Sequence, residues 1–317
     1  MILVTGGLGF IGQHAVRALI DAGRSCVVTS YRSGRAPRLF DGELGRAAFV
    51  EQVDVTDRAA LAALGEHYEI DGIVHLAAPG LLDADPFEGL TAGVRGLTNL
   101  LWAAQAWNVR RTLLASTIGV YLGVDASPLR EDFALQLGGT VPIETAKKTA
   151  EVIAGYAARH LGLEVASTRI GAAWGPLGRP SSRFFALPGL VHAAVAGESA
   201  TAHALDAIDL CYVKDVGRAI AALMTADSLN HQIYNIGSGR SSDNRDVAAA
   251  LEKAVPGARI ELLDGFSGPA GEFTLDISRL REDTGFEPAY DLERGIADFV
   301  TWLRAENENA AGAPESR

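Results

Sequence analysis

Cysteine is scarce in this sequence, and that scarcity excludes whole classes of protein. Two cysteines among 317 residues make no disulfide framework, and two thiols alone cannot hold a structural zinc. Cys26 and Cys211 both lie in apolar runs that read as strands, so inert packing is expected of them. No His/Cys/Asp cluster has metal-ligand spacing, and no Gly-x-Ser-x-Gly elbow occurs, so no metal is expected. Apolar runs stay far below the roughly 18 residues of a membrane span. Positive charge is in deficit: 28 Lys and Arg against 39 Asp and Glu leave −11, which disfavours a nucleic-acid or anionic-membrane partner. No basic leader is expected, because Met1-Ile2-Leu3-Val4-Thr5 runs straight into glycines. A cytoplasmic location is expected.

What is present is a regular alternation. Hydrophobic residues make up 48% of the chain, enough for a globular core. Short β-branched runs at 2–5, 26–30, 48–53, 72–76, 112–116 and 164–170 read as strands. Helical patterns at 10–22, 58–64, 86–107 and 142–161 lie between them. Such βαβ units build an α/β fold around a doubly wound parallel sheet. Past Ile170 the rhythm breaks into a segment rich in Gly, Pro and Ala, with helices at 189–196, 213–224, 244–254 and 292–304 and strands at 232–236 and 259–263. Residues 1–170 therefore read as the sheet domain and 171–305 as a smaller C-terminal substrate-binding lobe with some segments returning to the sheet. Residues 306–317 are polar and expected to fray.

The most informative stretch is Thr5-Gly6-Gly7-Leu8-Gly9-Phe10-Ile11-Gly12, a strand end, a glycine loop and a helix start. Gly6 allows the tight turn, Gly9 a close approach to a pyrophosphate, and Gly12 close helix–strand packing. The helix N-terminus, through Phe10 and Ile11, offers unpaired N–H groups and partial positive charge. This is the fingerprint of a Rossmann-type dinucleotide-binding domain. The second strand ends in Ser30 where an acidic residue would select NAD, and Arg32 and Arg35 follow. Guanidinium groups suit a 2′-phosphate, so NADP is favoured over NAD, with Arg32 as its ligand.

The opening motif resembles that of the extended short-chain dehydrogenase/reductases, the NAD(P)-dependent epimerase/dehydratase family. Further similar segments are Asp54-Val55-Thr56-Asp57, His75-Leu76-Ala77-Ala78, Ala115-Ser116-Thr117-Ile118-Gly119-Val120-Tyr121, Trp174-Gly175-Pro176 and Tyr234-Asn235-Ile236-Gly237. The resemblance implies that Asp54 contacts adenine, that Val55, Leu76, Ala77 and Ala78 line the cofactor, and that Thr117 holds the catalytic Ser/Thr position. It also implies a homodimer formed through the two long helices near 86–107 and 142–161.

One position departs from the family. Its active site places a Tyr and a Lys at i and i+4 on one helix face. The phenol passes the proton that accompanies hydride transfer, and the ammonium holds the nicotinamide ribose. Here Pro142 and the Lys147/Glu151 spacing set the register, so Lys147 takes the Lys position and Ile143 the Tyr position. Ile143 has no proton to give. Three readings follow. Glu144, Tyr121 or a water held by Thr117 takes over the acid–base role; the fold serves a lyase, isomerase or dehydratase reaction; or the chain is a dinucleotide-dependent sensor. Glu144 and Lys148 repeat the i, i+4 spacing one residue out of frame, which turns them about 100° around the helix. A surface ion pair is the plain alternative for them.

Relatives that act on nucleotide-linked sugars carry amides before the Tyr-Gly-Pro-like turn and an Arg before a later strand. This sequence has Ala172 and Ala173 at the first place and Ile208 at the second. Losing those donors weakens any grip on a diphosphate. A small carbonyl or alcohol compound is the expected substrate, with Ile143, Trp174, Phe184, Phe185 and His192 as candidate wall residues. Plain lobe core is the alternative for the aromatics and for His192.

Overall fold

A computed structural model describes residues 1–31, 36–78, 85–139, 141–268 and 272–312. Among them, seven strands form one parallel sheet: β1 (Ile2–Thr5), β2 (Cys26–Ser30), β3 (Ala48–Gln52), β4 (Gly72–His75), β5 (Arg111–Thr117), β6 (Val165–Ile170) and β7 (Ile233–Ile236). Their spatial order is β7-β6-β5-β4-β1-β2-β3. The chain reverses direction of growth between β1 and β4, where Thr5 sits beside both Thr29 and His75. In open α/β sheets this switch point opens a crevice at the strands' carboxyl ends.

The helices covering the sheet have local reasons to start where they do. Asp57 caps α2 (Arg58–His67) by accepting from the N–H groups of Ala59 and Ala60. Asp85 caps α3 (Pro86–Ala106), and Pro86 takes the first turn, where its missing N–H costs nothing. Gly162, at φ 66°, ends α4 (Pro142–Leu161) in the left-handed conformation. By contrast α1 (Phe10–Asp21) begins at Gly9 with no side-chain cap and no acidic residue in its first turn. Its N-terminal N–H groups are left to a ligand.

The second layer of structure is less regular than the first. Short strands Ala172–Trp174 and Leu210–Tyr212 pair in parallel, as do Ser199–His203 and Arg259–Leu263. Ala207–Ile208 lies between Ser242–Asp243 and Glu272–Phe273. Helices α5 (Leu187–Ala196), α7 (Asn244–Ala254) and α9 (Leu292–Gly312) bury Leu190, Leu251 and Phe299 in one core with Trp174. In contrast, α6 (Val213–Thr225) packs back on α1, and α8 (Ser278–Thr284) flanks β7, so the C-terminal half returns to the sheet in places. Beyond residue 306, α9 continues to Gly312, and Glu306 pairs with Arg38. No described helix is long and apolar enough to cross a membrane.

Candidate active site

The glycine loop closes the carboxyl end of β1. Gly6 adopts φ +68°, and a Cβ there would lie 2.8 Å from the backbone nitrogen of Ala77 at the end of β4. A Cβ on Gly12 would run into the Gly6 carbonyl oxygen. The Gly9 N–H donates to that same oxygen at 2.9 Å, which fixes the turn. Phe10 and Ile11 form the half-buried first turn of α1 above it. These features form a backbone cradle with no side chain inside it, and an anion fits its exposed N–H groups. Arg32 lies outside the described residues.

Around this cradle the other cofactor candidates converge. Val55, Ala77, Ala78 and Lys147 line one small cleft of about 60 Å³, together with His75. Asp54 is half-buried, and its Oδ1 accepts from the N–H and hydroxyl of Thr56, each at 2.8 Å. Leu76 donates its N–H to the Thr5 carbonyl and is also half-buried. The Thr5 hydroxyl meets His75 Nδ1 at 2.7 Å. Burial, with the Lys147 charge adding to it, pushes the His75 imidazole down to about 3, so it stays neutral.

Lys147 donates through Nζ to the Ala115 carbonyl at 2.7 Å. Burial lowers its ammonium to about 8, while the Glu151 carboxylate one helical turn away works in the opposite direction. Glu151 is anchored from below: it accepts from Ser116 Oγ at 2.6 Å and from Arg169 Nε and Nη2 at 3.0 and 2.7 Å. Both members of that ion pair are buried. The guanidinium of Arg169 lies 4.7 Å from the Tyr121 ring centroid.

Beside the cleft opens a cavity of about 340 Å³ between the sheet and the lobe. Thr117, Val141 and Ile143 form its sheet-side wall. Ala172, Ala173 and Ile208 lie on its lobe side, with Phe184, Phe185, Phe266 and Phe273. Asp206, Ser242, Asn244 and Ser267 add polar groups, and no Lys, Arg or His is among the described lining residues. Thr117 Oγ1 accepts from the Gly119 N–H at 3.2 Å, which orients the hydroxyl at the end of β5.

The structure thus brings Thr117, Ile143, Phe184 and Phe185 together and leaves Glu144, Tyr121, Trp174 and His192 elsewhere. Glu144 is not a cavity-lining residue: it is buried, and Lys148 Nζ donates to it at 2.5 Å and to the Gln136 carbonyl at 2.5 Å. The pair is therefore not the surface pair its spacing allowed. The 100° step from Ile143 carries it behind the cavity wall. Tyr121 is also fully buried, and its hydroxyl donates to Asn235 Oδ1 at 2.8 Å. Trp174 packs against Tyr212 in the lobe core, with ring centroids 4.8 Å apart. His192 meets Phe299 edge-on in that same core. Neither lines the cavity.

Asp206, Phe266 and Phe273 are among the wall residues that escaped the sequence reading. A signal existed for one of them. Phe266 stands between Gly265 and Ser267-Gly268, a loop in which a large apolar side chain has nothing local to pack on. It is 40% exposed at the cavity mouth.

Comparison with known proteins agrees with this architecture. Residues 2–237 match the NAD dependent epimerase/dehydratase family. A UDP-glucuronate 4-epimerase from Thermodesulfobacterium geofontis is 27% identical, covering 96% of this chain and 97% of that protein. A dTDP-glucose 4,6-dehydratase from Streptomyces griseus is 28% identical over 95% of this chain and 93% of its own length. The crystal structure of UDP-glucose 4-epimerase from Thermotoga maritima with UDP-glucose superposes with a TM-score of 0.83 at 25% identity, covering 96% of this chain and 99% of that one. With a glycine cradle at the sheet's switch point and a match spanning most of its length, this chain belongs to the NAD dependent epimerase/dehydratase family.

Proposed function

We propose that the chain is an NAD(P)-dependent oxidoreductase acting on a small, largely apolar carbonyl or alcohol compound, with water in place of the usual phenol as proton donor. The observation that carries this reading is the 340 Å³ cavity, with Thr117 and Ile143 in one wall and phenylalanines in the other. Its volume suits a ligand of modest size. Gly6, Gly9, Phe10, Ile11 and Gly12 hold the pyrophosphate; Asp54 holds the adenine; Val55, Leu76, Ala77 and Ala78 line the cofactor; and Lys147 holds the nicotinamide ribose. Arg32 takes a 2′-phosphate, which makes NADP the preferred form. The dinucleotide, when bound, supplies or accepts a hydride.

The chain's own residues do the rest. Thr117 presents its hydroxyl to the substrate oxygen and holds the water that exchanges a proton with it. Lys147, with an ammonium near 8, keeps positive charge beside that proton path at neutral pH. Glu144 and Tyr121 stay out of it, since Lys148 and Asn235 occupy their polar atoms. Replacing a positioned acid by water costs on the order of 10² to 10⁴ in rate, so turnover is slow. Ala172, Ala173 and Ile208 give a diphosphate no donor in the cavity wall. The protein works as a homodimer in the cytoplasm. Exposed Val152 and Tyr156 on α4 supply an apolar strip for the dimer contact.

A second reading is a net non-redox epimerase or dehydratase reaction, favoured by the named activities of the relatives in Thermodesulfobacterium and Streptomyces. Incubation with deuterated NADPH and NADH across a panel of aldehydes and ketones separates the two. Deuterium in the product supports the oxidoreductase. Turnover with the label retained on the nucleotide supports the second reading, and nucleotide binding without turnover overturns both.

A further inference from the structure

The charge in the cavity wall is one-sided. Asp206 places the single carboxylate among the described lining residues, and none of those residues is basic. Its partners are both on Ser267: the N–H donates to Oδ1 at 2.8 Å and the hydroxyl to Oδ2 at 2.6 Å. No cation pairs with it among the described residues. Residues 269–271, which follow Ser267-Gly268, are Pro-Ala-Gly and bring no charge. Four aromatic faces share the cavity: Phe184, Phe185, Phe266 and Phe273. Phe184 and Phe266 are 62% and 40% exposed, so their rings border the mouth.

A carboxylate without a counter-ion, set among phenylalanine rings, has a specific complement. An ammonium group gains from the carboxylate's charge and from the negative faces of the rings at once. An anion meets repulsion from the same wall and finds no cationic group among the described lining residues to offset its lost hydration. We infer that the cavity selects a substrate carrying a cationic amine on an apolar, aromatic-sized body, with the amine held at Asp206 and the reacting carbon toward Thr117. This rests on the reading of the cavity as the substrate site. It narrows the substrate class from small carbonyl or alcohol compounds to amino-carbonyls or amino-alcohols.

The test is calorimetric titration of the full chain, saturated with NADP, against three probes of matched shape: 3-phenylpropylamine, 3-phenylpropan-1-ol and 3-phenylpropanoate. The amine is expected to bind about tenfold or more tighter than the alcohol, with the carboxylate weakest. Asp206→Asn, which keeps an oxygen for Ser267, should bring amine and alcohol within about twofold of each other. A second variant, Ile208→Arg, should reverse the order in favour of the carboxylate. Equal binding of all three probes to the wild type, or preference for the carboxylate, overturns the amine assignment while leaving the cavity as the substrate site. Failure of all three to bind, with NADP bound, overturns the cavity reading as well.

Discussion

Alanine at Gly6 would impose two penalties that a second glycine separates. Gly6 sits at φ +68°, and its added Cβ would lie 2.8 Å from Ala77 N and 2.9 Å from Ala77 Cα. Gly23 has nearly the same backbone, φ +77°, but a Cβ there meets nothing within 4 Å. Both substitutions therefore carry the left-handed cost of about 1–2 kcal/mol for an L-residue. Both also gain equally from a stiffer unfolded chain, so that contribution cancels between them. Only Gly6→Ala must push β4's end away from the loop, an overpacking cost of roughly 1–3 kcal/mol more. Urea unfolding of the two variants should show that difference, with Gly6→Ala the less stable. Dinucleotide affinity, read by calorimetry, should fall at least tenfold for Gly6→Ala and stay unchanged for Gly23→Ala, which is remote from the cradle. Equal stability losses, or unchanged dinucleotide affinity in Gly6→Ala, would refute the argument that β1 and β4 close on each other to form the cradle.

Further outcomes follow from the same geometry. Glu151→Gln leaves Arg169 buried with its partner's charge gone, and should cost about 3–5 kcal/mol in chemical denaturation. Lys147 loses its proton as pH rises through about 8, whereas the unfolded chain keeps that proton to the ordinary lysine range. The unfolded state then binds more protons, so stability of the wild type relative to Lys147→Met should rise between pH 8 and the ordinary lysine range. Dinucleotide affinity should move the other way, falling above about pH 8 in the wild type and staying flat in Lys147→Met. Arg32→Ala should weaken NADPH binding about tenfold or more and leave NADH binding unchanged in parallel titrations.

How far the sequence carried the reading differs by region for physical reasons. The sheet strands and α1, α3 and α4 were legible because each repeats one period long enough to read, and because glycines or caps mark their ends. Ala207–Ile208, Ser242–Asp243 and Glu272–Phe273 are two-residue strands, too short for any alternation to show. The cradle was legible because it is local, eight consecutive residues from Thr5 to Gly12. The cavity wall was not, since Asp206 and Phe266 meet Thr117 and Ile143 only through the fold. Glu144 shows the limit of spacing: i and i+4 fix that it faces Lys148, but not whether the pair faces water or protein. The tail's helix was hidden for a related reason. Its polar composition reads as loose, yet the Glu306–Arg38 pair ties it to a segment far away in sequence.

The claim on which most depends is that Ile143 occupies the place from which a phenol would deliver the proton. Its most direct test is single-turnover reduction, by the wild type and by Ile143→Tyr, of whichever carbonyl accepts deuteride from the labelled nucleotide. With Thr117 beside it and Lys147 one turn along the same helix, the tyrosine should raise the rate by about 10² or more and shift the proton source from water to the phenol. A rate that stays level or drops, in a variant that still binds dinucleotide and substrate normally, would contradict it.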